Sequence, residues 1–197
     1  MFWRDGTQDA KAIPGILSFI LDAPTTGTTF GIDRAANSWW RNRASLAIDA
    51  TTAANQVLVQ TLQLEIRQLR RYAKNPQHAI FAGSTFMDYF EKELRSKGNY
   101  TLEGWSKQGK IDASVADLAF KGIAIQYDPT LDDLSRQKYC YILDMNQIKL
   151  RPMAGGEWMK QHTPRRPVEK YAMYMALTCT GAISARQLNS SGVYSTT

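Results

Sequence analysis

The chain has 197 residues, of which 44% are hydrophobic, 21% charged and 11% aromatic. These proportions are those of a globular protein with a hydrophobic core, and they exclude wholesale disorder, collagen and coiled coil as overall classes. The net charge of +6 permits contact with phosphates or with an acidic partner but requires neither. Two cysteines, Cys140 and Cys179, are too few for a disulfide framework and favour a reducing compartment.

The apolar run over residues 13–21 is the one candidate for a targeting or membrane segment. It is far shorter than the ~20 residues that a membrane-spanning helix needs. Asp5 and Asp9 precede it, so it lacks the positive flank of a signal peptide. We therefore expect a short helix after Pro14-Gly15, and neither secretion nor membrane contact.

The next two segments are a loop and the strongest helix signal of the chain. Residues 22–38 are rich in Thr, Gly, Asp and Pro, which predicts a loop. From about Thr51 to Lys74, apolar residues recur every three or four positions, which predicts an amphipathic helix. Thr51 or Thr52 is suited to cap its start, and Asn75-Pro76 ends it.

The second half of the chain alternates short apolar runs with turn residues. The pattern predicts a strand at 79–82, a helix from Ser84, a loop or weak hairpin over 95–114, strands at 123–127, 139–143 and 148–150, and a long strand over 171–188 broken at Gly181. Helices come mainly first and strands later. This order favours an α+β fold over alternating βαβ units.

Single catalytic residue types are present but are not grouped as a reaction would need. His78 and His162 stand apart from any nucleophile motif or metal-ligand spacing, and we expect a structural role for His78. Cys140 and Cys179 lie among apolar strand residues, where a thiol most often behaves as a small buried hydrophobe.

The acidic residues do not form a convincing site either. Asp128, Asp132 and Asp133 follow a strand without a histidine or a calcium-loop pattern, so we expect them to be solvated. Glu91 and Glu93 are two positions apart on a predicted helix and do not face each other. No phosphate-binding loop or dinucleotide motif is present. The sequence therefore predicts no enzyme, no metal and no cofactor.

Four basic residues form a stripe on the predicted long helix. Arg67, Arg70, Arg71 and Lys74 are spaced at i, i+3, i+4 and i+7 and so share one helix face. One interpretation is a surface for phosphate or an acidic neighbour. The other is a solvated stripe that is favoured by the helix C-terminus.

A second basic-aromatic segment is Trp39-Trp40-Arg41-Asn42-Arg43. Its tryptophans are suited to stack on bases or to anchor a protein interface. The third interpretation is that one tryptophan packs in the core while the arginines stay in water. Composition alone leaves these three open.

The same segment also carries a family resemblance. Residues 28–34 read TTFGIDR and residues 38–42 read SWWRN. They resemble the GGIDR…WWRN segment of a large prophage group among the major capsid proteins of tailed phages, which have the Hong Kong phage capsid fold. Phe30 stands where that group usually has a first glycine. Residues 3–7 and 14–17 look like the DGT…GL lead-in to the A domain of this family.

Further stretches follow the family's order, and together the resemblance covers about residues 3–194. The resembling stretches are 80–86, 120–129, 141–150 and 171–188. The resemblance implies a lead-in segment at 1–25, mainly A domain at 26–127, and A-domain strands returning to P-domain strands at 128–197. It also implies that the N-terminal arm, E-loop and spine helix of longer members are absent, so that the chain is a C-terminal portion.

Under this resemblance the chain is a structural coat protein of a phage or prophage head. It implies pentamers or hexamers in an icosahedral shell, a scaffold partner, non-specific contact with packaged DNA, and location in the virion or, during assembly, the bacterial cytoplasm. Trp39, Trp40, Arg41 and Asn42, with the basic stripe, become candidate subunit contacts. Replacing Trp39 or Trp40 by Ala is then expected to weaken oligomers without unfolding the subunit.

Three other functions stay open at this point. A non-specific nucleic-acid-binding module would use the same two basic-aromatic segments and would bind with a steep salt dependence. A cargo shell of the encapsulin type shares the fold family, although the WWRN segment favours phage. A hydrolase with an unrecognised site is the least supported by the residues present.

Overall fold

A computed structural model describes residues 2–7, 9, 11–51, 57–73, 75–96, 119–153, 159–167 and 171–197. Within these ranges, a central sheet has two helices on one face and irregular N-terminal segments on the other. This mixed architecture agrees with the predicted α+β class. The loop or weak hairpin predicted over 95–114 lies almost entirely outside the described residues.

Helices and strands alternate along the chain more evenly than the sequence pattern predicts, which places the helices mainly in the first half. In chain order they are β1 (Thr28–Thr29), β2 (Ile32–Asp33), β3 (Arg43–Ile48), α1 (Leu58–Tyr72), β4 (His78–Ala82), α2 (Ser84–Ser96), β5 (Ala119–Phe120), β6 (Ile123–Tyr127), α3 (Pro129–Asp133), β7 (Tyr139–Asp144), β8 (Ile148–Pro152), β9 (Met159–Gln161), β10 (Leu177–Cys179), β11 (Gly181–Ala185) and β12 (Gly192–Thr196). Short 3₁₀ turns lie at Ile16–Ser18 and Ser38–Trp40. The sequence analysis predicts neither β3 nor β12.

The main sheet has the strand order β3-β12-β7-β4-β6-β5. Strand β12 is parallel to β3 and β4 is parallel to β6, while β7 is antiparallel to both of its neighbours, β12 and β4. It follows that β3, β12, β4 and β6 all run in one direction. The amino end of β3 and the carboxyl end of β6 are therefore at opposite ends of the sheet.

Strand β7 divides the hydrophobic core into two clusters. Cys140 and Ile142 point to the face that α1 and α2 cover, whereas Tyr141 and Leu143 point to the N-terminal segments on the other face. All four side chains are fully buried. This alternation follows from the two-residue period of a strand, so one strand serves both cores.

Helix α1 begins later than predicted, at Leu58 instead of Thr51. The buried stripe of Leu58, Leu62, Ile66 and Leu69 is the one expected from the sequence. Thr51 lies before the helix and does not cap it, because the cap comes from elsewhere in the chain. The fully buried carboxylate of Glu93, on α2, accepts hydrogen bonds from the backbone N–H groups of Leu58, at 2.9 Å, and Val59, at 3.2 Å.

Two of the three clustered aspartates also cap helices, which corrects the expectation that they are merely solvated. The Asp132 carboxylate accepts from the N–H of Ser84 at the start of α2, at 3.0 Å, and this bond holds its pKa below the usual value. Asp128 caps α3 through the N–H of Thr130, at 2.9 Å. Burial raises the Asp128 pKa, but bonds from Trp3 and Thr130 outweigh this and lower it.

The predicted long strand over 171–188 is instead a set of short strands in a ribbon. Strands β9 and β10 pair with each other, and β8 pairs with β11, outside the main sheet. Side chains along β9 and β10 are exposed on both faces, including Met159 and Leu177. In the described part of the chain, no helix is long and apolar enough to cross a membrane.

The buried Glu93 cap leads to a stability prediction. Replacing Glu93 by Ala removes the acceptor for two buried N–H groups, so we expect the free energy of unfolding to fall by about 1–3 kcal/mol. Urea unfolding followed by circular dichroism measures the change. The matched control is Glu91→Ala, two positions away, where a surface ion pair with Arg95 is lost and the change is expected to stay within about 0.5 kcal/mol. Equal effects of the two variants would contradict the capping role.

Candidate functional site: an aromatic cleft beside a basic helix face

A tight hairpin begins the segment that carries the two tryptophans. Strands β1 and β2 pair through Thr29 and Ile32, leaving Phe30 and Gly31 as the turn, at φ +52° and +79°. Positive φ at both central residues is typical of a type I′ turn, which favours glycine. Phe30 therefore occupies the left-handed position where the resembling family usually has its first glycine. Its ring lies 5.7 Å from that of Phe19.

The guanidinium of Arg34 is completely buried behind this hairpin. It donates to Thr29 Oγ1 and Asn42 Oδ1, each at 2.8 Å, and to the carbonyl of Phe19. Each of these acceptors is neutral. Burial without a carboxylate lowers the Arg34 pKa. The side chain thus joins three separate segments and fixes where the tryptophan loop lies.

The two tryptophans have different environments. Trp40 is 5% exposed and its Nε1 donates to the carbonyl of Thr29 at 3.1 Å, so it belongs to the core. Trp39 is 58% exposed, and its ring meets that of Trp40 edge-on at 5.6 Å. Only Trp39 is available to a partner. We therefore expect that Trp39, but not Trp40, can be replaced by Ala without destabilising the subunit.

The neighbouring arginines remain partly exposed, as the third interpretation expects, and hydrogen bonds also hold them in place. Arg41 donates to the carbonyls of Arg34, at 2.6 Å, and Ala35, at 2.7 Å. Arg43 makes a two-bond ion pair with Glu65 of α1, and the bond to Glu65 is the main cause that raises its pKa. Glu65 also accepts from Tyr194 Oη at 3.2 Å. The tryptophan loop is thereby attached to α1 and to β12.

The basic stripe lies on the exposed face of α1, as the spacing predicts. Arg67, Arg70 and Arg71 are exposed; we call these three the basic face. Lys74 lies outside the described residues. Beside them, the guanidinium of Arg71 lies 5.6 Å from the ring centre of Tyr72.

The structure brings the tryptophan loop and Tyr72, the last residue of α1, together at one cleft. This aromatic cleft has a volume of about 630 Å³ and is lined by Trp39, Arg41, Asn42, Arg43, Tyr72 and Asn189, among others. Trp39 and Tyr72 are both about half exposed. Arg71 of the basic face lies beside Tyr72, so the cleft and the basic face are neighbouring surfaces.

Neither Tyr72 nor Arg34 is predicted from the sequence as part of this site. Tyr72 is the last residue of α1 and is exposed. Its position on the helix, outside the buried stripe, would have identified it as a surface aromatic residue. Arg34 carries no such signal, because nothing in its local sequence distinguishes a buried arginine from a solvated one. Its role depends on acceptors from three separate segments.

The residues singled out for chemistry remain apart from one another. His78 Nε2 is 3.2 Å from the carbonyl of Ser190, and burial lowers the His78 pKa, with Asp144 acting in the opposite direction. His162 is exposed on the ribbon. Among the described residues, no group of His, Cys, Asp and Glu could hold a metal ion.

Comparison with known proteins supports the fold. No family model and no curated protein matches the chain. Among solved structures, a chain of the cyanophage A-1(L) capsid asymmetric unit matches with a TM-score of 0.67 and 15% sequence identity. The match covers 98% of this chain and 63% of the other, so this chain spans less than two thirds of that protein's length. The chain thus has a phage capsid-like fold.

The division of the two tryptophans leads to opposite expectations for their removal. Trp40→Ala is expected to lower the free energy of unfolding by about 3–5 kcal/mol, because it empties a core position and removes the hydrogen bond to the Thr29 carbonyl. Trp39→Ala is expected to change it by less than about 0.5 kcal/mol. Urea unfolding of the two variants provides the comparison, and similar losses in both would contradict the assignment.

The two cysteines are expected to react very differently with a thiol reagent. Cys140 is fully buried and burial strongly raises its pKa, whereas Cys179 is exposed on β10. The exposure of Cys179 corrects the expectation that both thiols are buried. Alkylation by iodoacetamide followed by mass spectrometry should modify one thiol in the folded protein and two in urea. Rapid native labelling of Cys140 would contradict the described burial.

Proposed function

We propose that this protein is a coat-protein subunit of a tailed-phage or prophage head, which builds an icosahedral shell through repeated contacts between copies. Its role is structural and not catalytic. The proposal places it in the virion, and in the bacterial cytoplasm during assembly. A scaffold protein and packaged DNA are further proposed partners, the latter through non-specific phosphate contacts.

The observation that carries this proposal is the capsid-like fold over nearly the whole chain. The TM-score of 0.67 is reached over 98% of the residues, so the similarity includes the sheet, the helices and the ribbon. The proposal also draws on the GIDR…WWRN resemblance, of which Trp39, Arg41 and Asn42 line the aromatic cleft. We propose the Hong Kong phage capsid fold as the specific fold family.

The surface supports the proposal independently of the fold. A shell subunit needs exposed groups that can be buried by neighbours. Trp39 and Tyr72 offer two aromatic anchors in the cleft, and the ribbon adds exposed apolar side chains such as Met173 and Met175. We propose Trp39 and Arg41, with the basic face, as subunit contacts. Asn42 is 2% exposed and its amide bonds to Arg34 and to the backbone of Leu21, so it positions the loop and is not available to a partner.

A nucleic-acid-binding function is the second candidate, and a specific observation favours it. Exposed aromatic rings next to three exposed arginines are typical of surfaces that bind single strands. This function predicts binding to mixed-sequence DNA at low salt that weakens steeply as salt is added. The capsid function predicts assembly without nucleic acid.

The deciding experiment is size-exclusion chromatography with light scattering, followed by negative-stain imaging of any large species. We expect particles of five or six subunits, or closed shells, in nuclease-treated protein. Trp39→Ala is expected to lower the assembled fraction at least about tenfold, because a central aromatic anchor commonly contributes 2 kcal/mol or more. The control is Leu46→Ala, which also removes an exposed apolar side chain but lies outside the cleft. A monomer at every concentration would refute the proposal.

A further inference from the structure

The basic face carries charge that nothing in the described part of the chain compensates. The ion pairs of that part join Arg43 to Glu65, Arg95 to Glu91 and Arg136 to Asp22, and none involves the basic face. Arg67 donates only to the carbonyl of Gln63 in its own helix, at 3.3 Å. Like charges concentrated on one helix face raise its affinity for an acidic partner.

A second surface carries the opposite charge and is also uncompensated. The acidic corner consists of Asp128, Asp132 and Asp133, and no described cation lies within ion-pair distance of it. Because Asp128 and Asp132 cap helices, two of the three carboxylates are held rigidly, and hydrogen bonds to them favour the charged form. Tyr127 and Leu134 are partly exposed next to them, at 50% and 38%.

The topology puts these two surfaces at diagonally opposite corners of the sheet. The aromatic cleft contains Arg43, at the amino end of the edge strand β3. The acidic corner follows the carboxyl end of β6, which runs in the same direction near the other edge. The two surfaces cannot meet within one molecule. A contact between them joins different patches of two copies and continues head to tail, as in a ring.

We propose that the acidic corner of one copy docks in the aromatic cleft and basic face of the next copy. The inference rests on the proposed function and specifies which surfaces meet. Carboxylates on a rigid corner pair with the arginines of the basic face, while Tyr127 and Leu134 pack against Trp39 and Tyr72. A nucleic acid would satisfy the basic face alone, whereas a second copy compensates both surfaces.

Charge reversal tests this contact. Arg71→Glu and Asp133→Arg change exposed side chains for which the described structure shows no hydrogen bond, so both variants are expected to fold. Each variant alone faces like charge across the contact and is expected to need at least about tenfold more protein to assemble. The double variant restores opposite charges and recovers assembly.

Mixing the two single variants provides a sharper test. The reversed cleft of one variant accepts the reversed corner of the other, and the unchanged surfaces also match. An equal mixture is therefore expected to assemble with alternating copies, which closes rings of six but not of five. The control Lys92→Glu makes the same change in net charge as Arg71→Glu, at an exposed position of α2, and is expected to assemble like the parent protein. Circular dichroism confirms that each variant is folded.

The outcomes separate this contact from the proposed function. If Trp39→Ala prevents assembly while Asp133→Arg assembles normally, the shell function stands and the acidic corner is not the partner surface. If Arg71→Glu abolishes DNA binding and Asp133→Arg has no effect on assembly, the basic face serves nucleic acid and the inference is wrong. The inference is also overturned if neither the double variant nor the mixture of single variants recovers assembly.

Discussion

A buried guanidinium with only neutral acceptors is the constraint on which the aromatic cleft depends. Removing the charge of Arg34 from water is costly, and the cost is offset only if its donors all find acceptors. The Phe19 carbonyl, Thr29 and Asn42 supply them from three segments. Each segment must therefore hold its position for the others to be satisfied. Lysine would not replace this arginine, since a single ammonium cannot reach three acceptors in a planar fork.

The cleft lies at the β3 edge of the sheet, where the segments that cover the two faces of the sheet meet. Trp40 anchors the tryptophan loop in the core on one face of the sheet, and α1 covers the other face. Glu65 connects them by pairing with Arg43 and accepting from Tyr194. Side chains on both layers, Trp39 and Tyr72, then form the walls. A surface built in this way is supported from both faces of the sheet.

The sequence was informative wherever short-range pattern decides structure. The stripe of α1, the strands β4, β6 and β7 and the exposed arginines all follow from spacing. The sequence was uninformative where the structure depends on contacts between residues that are far apart in the chain. The start of α1 depends on Glu93, and its first residue has no local capping side chain in the described chain. Strand β12 is rich in small and hydroxyl residues that are typical of loops, yet it is buried because β3 and β7 flank it. That Trp40 and not Trp39 enters the core also needed the three-dimensional position of Thr29.

The pairing of β3 with β12 imposes an order on the folding of the newly made chain. The N–H of Ala47 bonds to the hydroxyl of Ser195, 148 residues later, and the structure gives β3 no other strand partner among the described residues. At a synthesis rate of ~5–20 residues per second, β3 leaves the ribosome roughly 7–30 seconds before β12 does. The strands β4, β6 and β7 can pair in that interval, but β3 waits as an unpaired edge. The edge of the sheet beside the aromatic cleft therefore completes its strand pairing only after β12 has been synthesised.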